Sequence, residues 1–321
     1  MRFGYASLFL ASLFAFPPIA SGQAYPTKPI RIVVPLAAGG PGDLLARAIA
    51  QKLSDTMAQP VVIDNRPGAN TNVGNEAVAK AAPDGYTLLA TASTLTINPS
   101  LYSNLTYDPI KDFAPITPIA TTPLVLVVHP SLSVRSVKEL IALARARPTQ
   151  ILYGSPGNGS TPHLAAEMFN TMAGVKLMHV PYKGVTGAFS DLLGGQISLM
   201  FPGAPIAVPQ VKAGKLRALG TTGAKRTPAA PEVPTIAEAA LPGYEVSVWY
   251  GILAPAGTPR TVISRLNTEI VRIVQLPDIR ERWAALGAEP LHSAPEQFAA
   301  FLKNDLGKWA KVVRDSGAKI D

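Results

Sequence analysis

The stretch ILYGSPGNGSTPHLAAE, residues 151–167, decides the fold. It reads as a short strand, a glycine-rich loop and the opening of a helix. Thr161 suits the N-cap, Pro162 the first helical position, and Leu164, Ala165 and Ala166 carry the helix on. Gly154, Ser155, Gly157 and Gly159 leave backbone N–H groups uncovered by large side chains. A helix N-terminus carries about half a unit of positive charge. Exposed donors plus that dipole make an anion cradle. The same arrangement occurs earlier, in IRIVVPLAAGGPGD at residues 30–43: a strand, then Gly39 and Gly40, then Pro41 at a helix start. Two cradles in one chain predict two units that face each other across a cleft and hold a small carboxylate.

Outward from these two loops the chain alternates. Ile30–Pro35 is a continuous apolar strand of the kind buried on both faces. Residues 41–57 form a helix with Leu44, Leu45, Ala48, Ile49 and Leu53 on one face. A strand at 61–64, a short helix at 71–81 and a strand at 86–92 complete a βαβαβ order, which implies a parallel sheet. Residues 95–118 are rich in Pro, Asn, Ser and Thr and read as a wrapping loop. A second series begins with the apolar strand LVLVVH at 124–129 and ends with YEVSVWYGILA at 244–254. The remainder is helical and closes with Phe298, Phe301, Leu302, Trp309 and Val313 at helical spacing. If both long strands are crossovers, residues 123–251 form one lobe, and 25–122 with 252–321 the other. The expected fold is α/β, two doubly wound lobes joined by crossover strands. Ligands of such sheets bind outside the carboxyl ends of the strands, where both loops lie.

Composition narrows the function classes. The chain has 321 residues, enough for two domains, and 47% of them are apolar. Its net charge of +8 is scattered, without a run of five basic residues or interleaved aromatics, so nucleic acid is not an expected partner. Spread positive charge suits the attraction of small anions. There is no cysteine, which excludes disulfides, thiolate metal sites and a lipid-modified N-terminal cysteine. His129, His163, His179 and His292 lack metal-ligand spacing, and neither GxGxxG nor a P-loop is present, so no metal or cofactor is expected. Residues 1–24 read as a secretory signal: Arg2, an apolar run from Phe3 to Phe16, Pro17-Pro18, and small residues before a cleavage near Ala24. The apolar run is shorter than the roughly 20 residues that span a bilayer. The expected location is the periplasm.

Several residues have two readings. Asp43, third in its helix, is either a first-turn acid or an acceptor for a ligand amine, hydroxyl or water. Ser160 and Thr161 offer hydroxyls, and Ser155 and Asn158 are further loop donors. Asp191 ends a helix, and Tyr182 stands as a cleft-lining candidate. Ser160 and His163 are also the one pair suited to nucleophilic catalysis, although no GxSxG elbow surrounds them. A secreted serine hydrolase and a ligand sensor for a signalling system are therefore the alternatives to a solute receptor.

The motifs YPTKPIRIVVPLAAGGPGD, VIDNRPGAN, PDGYTLL, YGSPGNGSTPHLAAE, HVPYKG, DLLGGQ, VKAGKLRALG and APAGTP run from Tyr25 toward the C-terminus. Together they resemble the solute receptors of tripartite tricarboxylate transporters, the Bug receptors. The resemblance implies an exported, non-enzymatic, two-lobed protein of the periplasmic binding (Venus-flytrap) type. It implies work as a monomer that delivers a carboxylate to membrane transporter subunits. Candidate ligands are di- and tricarboxylates, acidic amino acids and aromatic carboxylates. The implied site comprises Ala38, Gly39, Gly40 and Asp43 on one lobe and Ser155, Asn158, Ser160, Thr161 and Asp191 on the other, the carboxylate being held largely by main-chain groups and waters. Residues near Thr94 and Phe201 would shape the rest of the cleft. The chain departs from the family pattern at Leu36, where an aromatic is common, and at Asn70-Thr71, where a Gly-Gly pair is common.

Overall fold

The computed structural model describes residue 1 and residues 25–318; apart from Met1, the expected leader lies outside the described residues. The strands, in chain order, are β1 (Ile30–Val34), β2 (Val61–Asn65), β3 (Thr87–Ala92), β4 (Phe113–Pro123), β5 (Val125–Val128), β6 (Leu152–Ser155), β7 (Met178–Pro181), β8 (Leu199–Met200), β9 (Arg217–Thr221), β10 (Ser247–Pro255) and β11 (Glu289–Pro290). They form two sheets, ordered β11-β4-β10-β3-β1-β2 and β7-β6-β8-β5-β9. Within the first, β1 runs parallel to β2 and β3, and β10 runs antiparallel to β3 and β4. Within the second, β6 runs parallel to β7 and β8, while β5 is antiparallel to β8 and β9. The sheets are mixed, where the βαβ order predicted parallel pairing. Each glycine-rich loop leaves the carboxyl end of a strand, β1 or β6, that lies between two parallel neighbours.

The expected wrapping loop at 95–118 conceals structure. A helical turn covers Thr94–Ile97, and β4 begins at Phe113. Three prolines in FAPITPIATTP hid that strand. Its register against β10 slips twice, stepping over Ile119 beside Pro118 and over Ile116 beside Pro115. Prolines within a sheet are confined to such irregular pairings, because they lack the ladder donor. The return strand β10 lies along its whole length in the first sheet, residues 247–251 included.

The chain crosses between lobes at one stitched point. Leu124 N donates to Thr222 Oγ1 at 2.8 Å, and Thr222 Oγ1 donates to Val246 O at 2.5 Å. The backbone adds Thr222 N to Leu124 O at 2.9 Å and Val246 N to Thr222 O at 2.8 Å. One buried threonine thus binds the outgoing and returning strands together. A third tie is the C-terminal helix, Pro295–Ser316. Its first half packs Phe298 and Leu302 with Trp249, Val33 and Leu89 of the first lobe. Its second half packs Trp309 and Val313 with Leu164, Phe169 and Tyr153 of the second. The expectation had placed this whole helix in the first lobe; the periodicity of its apolar face was legible, but not that two different cores share it.

Replacing Thr222 with Val keeps the shape and removes the hydroxyl. The buried Leu124 amide and Val246 carbonyl each lose a partner, so the variant is expected to lose about 1–3 kcal/mol in urea unfolding.

Candidate functional site

The first loop is built by Asp43. The helix Pro41–Met57 starts without a side-chain cap at Gly40. Asp43, 1% exposed, folds back instead: its Oδ2 accepts from Gly39 N at 2.9 Å and Arg47 Nε at 2.8 Å, and its Oδ1 accepts from Asn65 Nδ2 at 2.8 Å. Asn65 Oδ1 in turn accepts from Arg47 Nη2, and Asn65 Nδ2 also reaches Leu36 O at 3.2 Å. Burial pushes the Asp43 carboxyl up, but the hydrogen bonds from Arg47, Gly39 and Asn65 outweigh it and hold the group below its ordinary value. The carboxylate is therefore spent on its own loop. Gly39 takes a left-handed φ of 79°, and Gly42 leaves room for Leu36 Cδ1, which an added Cβ would meet at 2.3 Å, and for the Tyr250 ring. Leu36 thus packs inward on the helix start beside Tyr250.

The same network decides which amides are free. Gly39 N is taken by Asp43, and Gly40 N donates to Ala37 O at 3.3 Å. The amides of Ala37, Ala38, Gly42 and Asp43 have no acceptor among the described residues. Gly39 and Gly40, both expected as donors, instead shape the turn.

The second loop is closed by its own side chains. Ser160, not Thr161, is the N-cap of the helix Thr161–Ala173, and its Oγ accepts from His163 N. Ser160 Oγ donates to Gly157 O at 2.7 Å. Ser155 Oγ accepts from Gly157 N at 3.1 Å and lies 2.7 Å from His179 Nε2. Gly159 N donates to His163 Nδ1 at 3.0 Å. His163 and His179 stack with centroids 4.0 Å apart, and Tyr153 stacks on His179 at 4.8 Å. Burial, with the neighbouring His179, pushes His163 down to about 3, and burial pushes His179 down to about 4. Both rings are neutral at pH 7. The amides of Asn158 and Thr161 have no acceptor among the described residues.

The hydrolase alternative fails on this geometry. Ser160 meets the main-chain N–H of His163, while the imidazole Nδ1 accepts from Gly159. No side-chain hydrogen bond links the nucleophile to a base.

Other expected residues are distributed around these loops. Thr94 is half-buried and its Oγ1 accepts from Thr71 Oγ1 at 2.9 Å. Tyr182 donates its hydroxyl to Asp191 Oδ2 at 2.6 Å and its amide to Ser155 O, bracing the second loop. Phe201 is 0% exposed and packs on Phe169, so it backs the cleft wall instead of lining it; its aromatic bulk is filled by core. At Asn70 and Thr71 the departures from Gly-Gly keep the left-handed turn, with φ of 50° and 79°. An asparagine network holds that strain: Asn70 donates to Asn98 Oδ1 at 2.8 Å, and Asn98 to Asn72 Oδ1 at 2.6 Å. Sequence reasoning missed Asn65 and Arg47, which hold Asp43, and His179. The i,i+4 spacing of Asp43 and Arg47 was the available signal.

Two mixed sheets, a stitched crossing and paired amide-bearing loops at strand ends define a two-lobed solute-binding protein rather than an enzyme. The description "Tripartite tricarboxylate transporter family receptor" matches residues 45–318, and the chain belongs to that family. It is 37% identical to Protein BugT of Bordetella pertussis over 315 residues, 98% of this chain and 96% of the relative. A solved structure of an R. palustris protein with adipate aligns at a TM-score of 0.80 and 39% identity, covering 92% of this chain and all of that one. MatC from Rhodopseudomonas palustris with bound malate aligns at 0.76 and 32%, covering 90% of this chain and all of that one. No helix of the described residues is long and apolar enough to cross a membrane.

Asp43→Asn leaves the shape but removes the charge that Arg47, Asn65 and Gly39 N–H satisfy. The variant is expected to lose about 1–3 kcal/mol at pH 7. A carboxyl held below its ordinary value contributes fully above the unfolded value near 3.9 and loses that contribution as pH falls through the folded value. Urea midpoints of wild type and variant should therefore converge toward pH 2. The histidines act in the same direction, at higher pH. Their folded values lie below about 6.5, so stability is complete above that pH and drains as pH falls, by about 1.4 kcal/mol per unit for each ring. At pH 5 the wild type should have lost about 2 kcal/mol through His163 alone. A His163→Gln variant, measured by the same urea titration, should show a shallower acid loss.

Proposed function

We propose that the protein is a periplasmic receptor that closes two lobes on a small carboxylate and hands it to the membrane subunits of a tripartite tricarboxylate-type transporter. The observation that carries this reading is the set of amides without acceptors at the two loop–helix junctions: Ala37, Ala38, Gly42 and Asp43 on one, Asn158 and Thr161 on the other. Helix N-termini with free donors are anion sites. The adipate and malate bound by the similar solved proteins have the matching chemistry. The ligand carboxylate takes the amides of Ala38, Gly42 and Asp43 from one side and those of Asn158 and Thr161, with the Thr161 hydroxyl, from the other. Thr94 and Tyr182 flank the ligand body. Asp43, Ser155, Ser160 and Asp191 act behind the contact surface, fixing the loops, and the expected leader delivers the chain across the inner membrane. Residues 25–123 with 247–294 form one lobe and 124–246 the other, and the helix Pro295–Ser316 packs on both.

Binding and closure are one equilibrium. A ligand that reaches donors on both lobes does so only when they approach, so it favours the closed population by its extra affinity for that state.

A thermal-shift panel of adipate, malate, citrate, aspartate, glutamate and benzoate, followed by calorimetry, tests the assignment. A true ligand at 100 times its Kd adds about 2.7 kcal/mol of stability. At least one dicarboxylate should do so, and no shift across the whole panel removes the proposal.

A further inference from the structure

Beside the stitched crossing lies a cavity of about 350 Å³. Its walls come from both lobes: Thr121, Trp249, Glu289 and Phe301 on one, Gly223 to Lys225 and Glu245 on the other. Between these walls runs the pivot of Leu124, Thr222 and Val246. Side chains of a strand alternate between faces. On β10, Tyr250 touches the position of Gly42 at the start of the first anion loop, while Trp249 turns to the cavity and meets Phe301 with centroids 6.0 Å apart. On β4, Ala120 packs in the core that also holds Ile263, Leu266 and Ile270 of the helix Arg260–Val274, while Thr121 lines the cavity. The first anion loop and the cavity thus lie on opposite faces of β10.

We infer that this cavity is a counter-cleft, which widens when the anion cleft closes and narrows when it opens. The inference rests on the two-lobed hinge reading above, not on the identity of the ligand. Points on opposite sides of a pivot move in opposite senses. Closing the front carries Gly223–Lys225 away from Phe301 and Glu289. Any bulk wedged between those walls therefore favours the closed front, and trimming a wall favours the open one. The coupling enters affinity directly, since the apparent Kd is the intrinsic Kd divided by the fraction of competent, closed-prone molecules. The ligand-binding residues are untouched by it.

The absence of cysteine allows two introduced cysteines to be labelled uniquely. Leu44→Cys and Lys183→Cys place spin labels beside the two anion loops, at exposed positions of the two lobes. In ligand-free protein, Ala224→Trp should shorten the mean label distance, and Phe301→Ala, at a position 40% exposed, should lengthen it. With adipate as probe, calorimetry should give a lower Kd for Ala224→Trp and a higher one for Phe301→Ala. An unchanged or opposite distance shift in folded Ala224→Trp overturns the counter-cleft. If Ala224→Trp does not fold, an unchanged distance in Phe301→Ala overturns it alone. If adipate binds to none of the variants, the ligand assignment fails while the distances still decide the coupling.

Discussion

A backbone N–H at a helix start has no partner within its own helix, and in the loops before these two helices several such groups are left without an acceptor among the described residues. Everything else near the site serves that arrangement. Glycine-rich segments would ordinarily collapse onto their own carbonyls. Here side chains absorb the surrounding donors first: Asp43 takes Gly39 N, Ser155 takes Gly157 N, and His163 takes Gly159 N. What remains is a short row of donors fixed in place before a ligand arrives. Binding then orders little that was not already ordered, and affinity is not lost to loop entropy.

This division of labour explains why the two loops were more legible in the sequence than their wiring. Glycines, a proline and a helix start are local signals, and they placed both loops correctly at strand ends. Which amides stay free depends on contacts at distance. Asn65 reaches Asp43 across 22 positions, and His179 lies 24 positions from Ser155. No periodicity encodes such pairs. The same limit applies to the fold. Strands of β-branched residues were legible, as in Ile30–Val34, whereas β4 was masked by prolines that only its irregular pairing with β10 accommodates. Asp43 and Phe201 were read by residue type as contact groups; burial turned one into a brace and the other into backing.

The hinge shows how little chain separates two large cores. Thr222 ties three segments with one hydroxyl and its own backbone, so the crossing is a narrow pin rather than a broad interface. The C-terminal helix prevents that pin from becoming a free joint. Its apolar side is anchored in both cores, with Asp305 between the anchors accepting from Thr96 Oγ1 at 2.6 Å and Trp249 Nε1 at 2.8 Å. Lobe motion must keep both packings, which restricts it to small rotations about the crossing.

Recognition by main-chain amides has a consequence for ligand choice. An amide row reads a carboxylate but not what the carboxylate is attached to, and it contributes the same interaction to every acid that fits. A guanidinium would add charge and a fixed bidentate geometry, and would narrow the range. Here the one arginine beside the first loop, Arg47, is bound to Asp43 and neutralises it, so neither group presents net charge to a guest. On the function proposed above, discrimination comes from the flanks, where Thr94, Tyr182 and the strained Asn70-Thr71 turn differ in shape from a plain glycine surface.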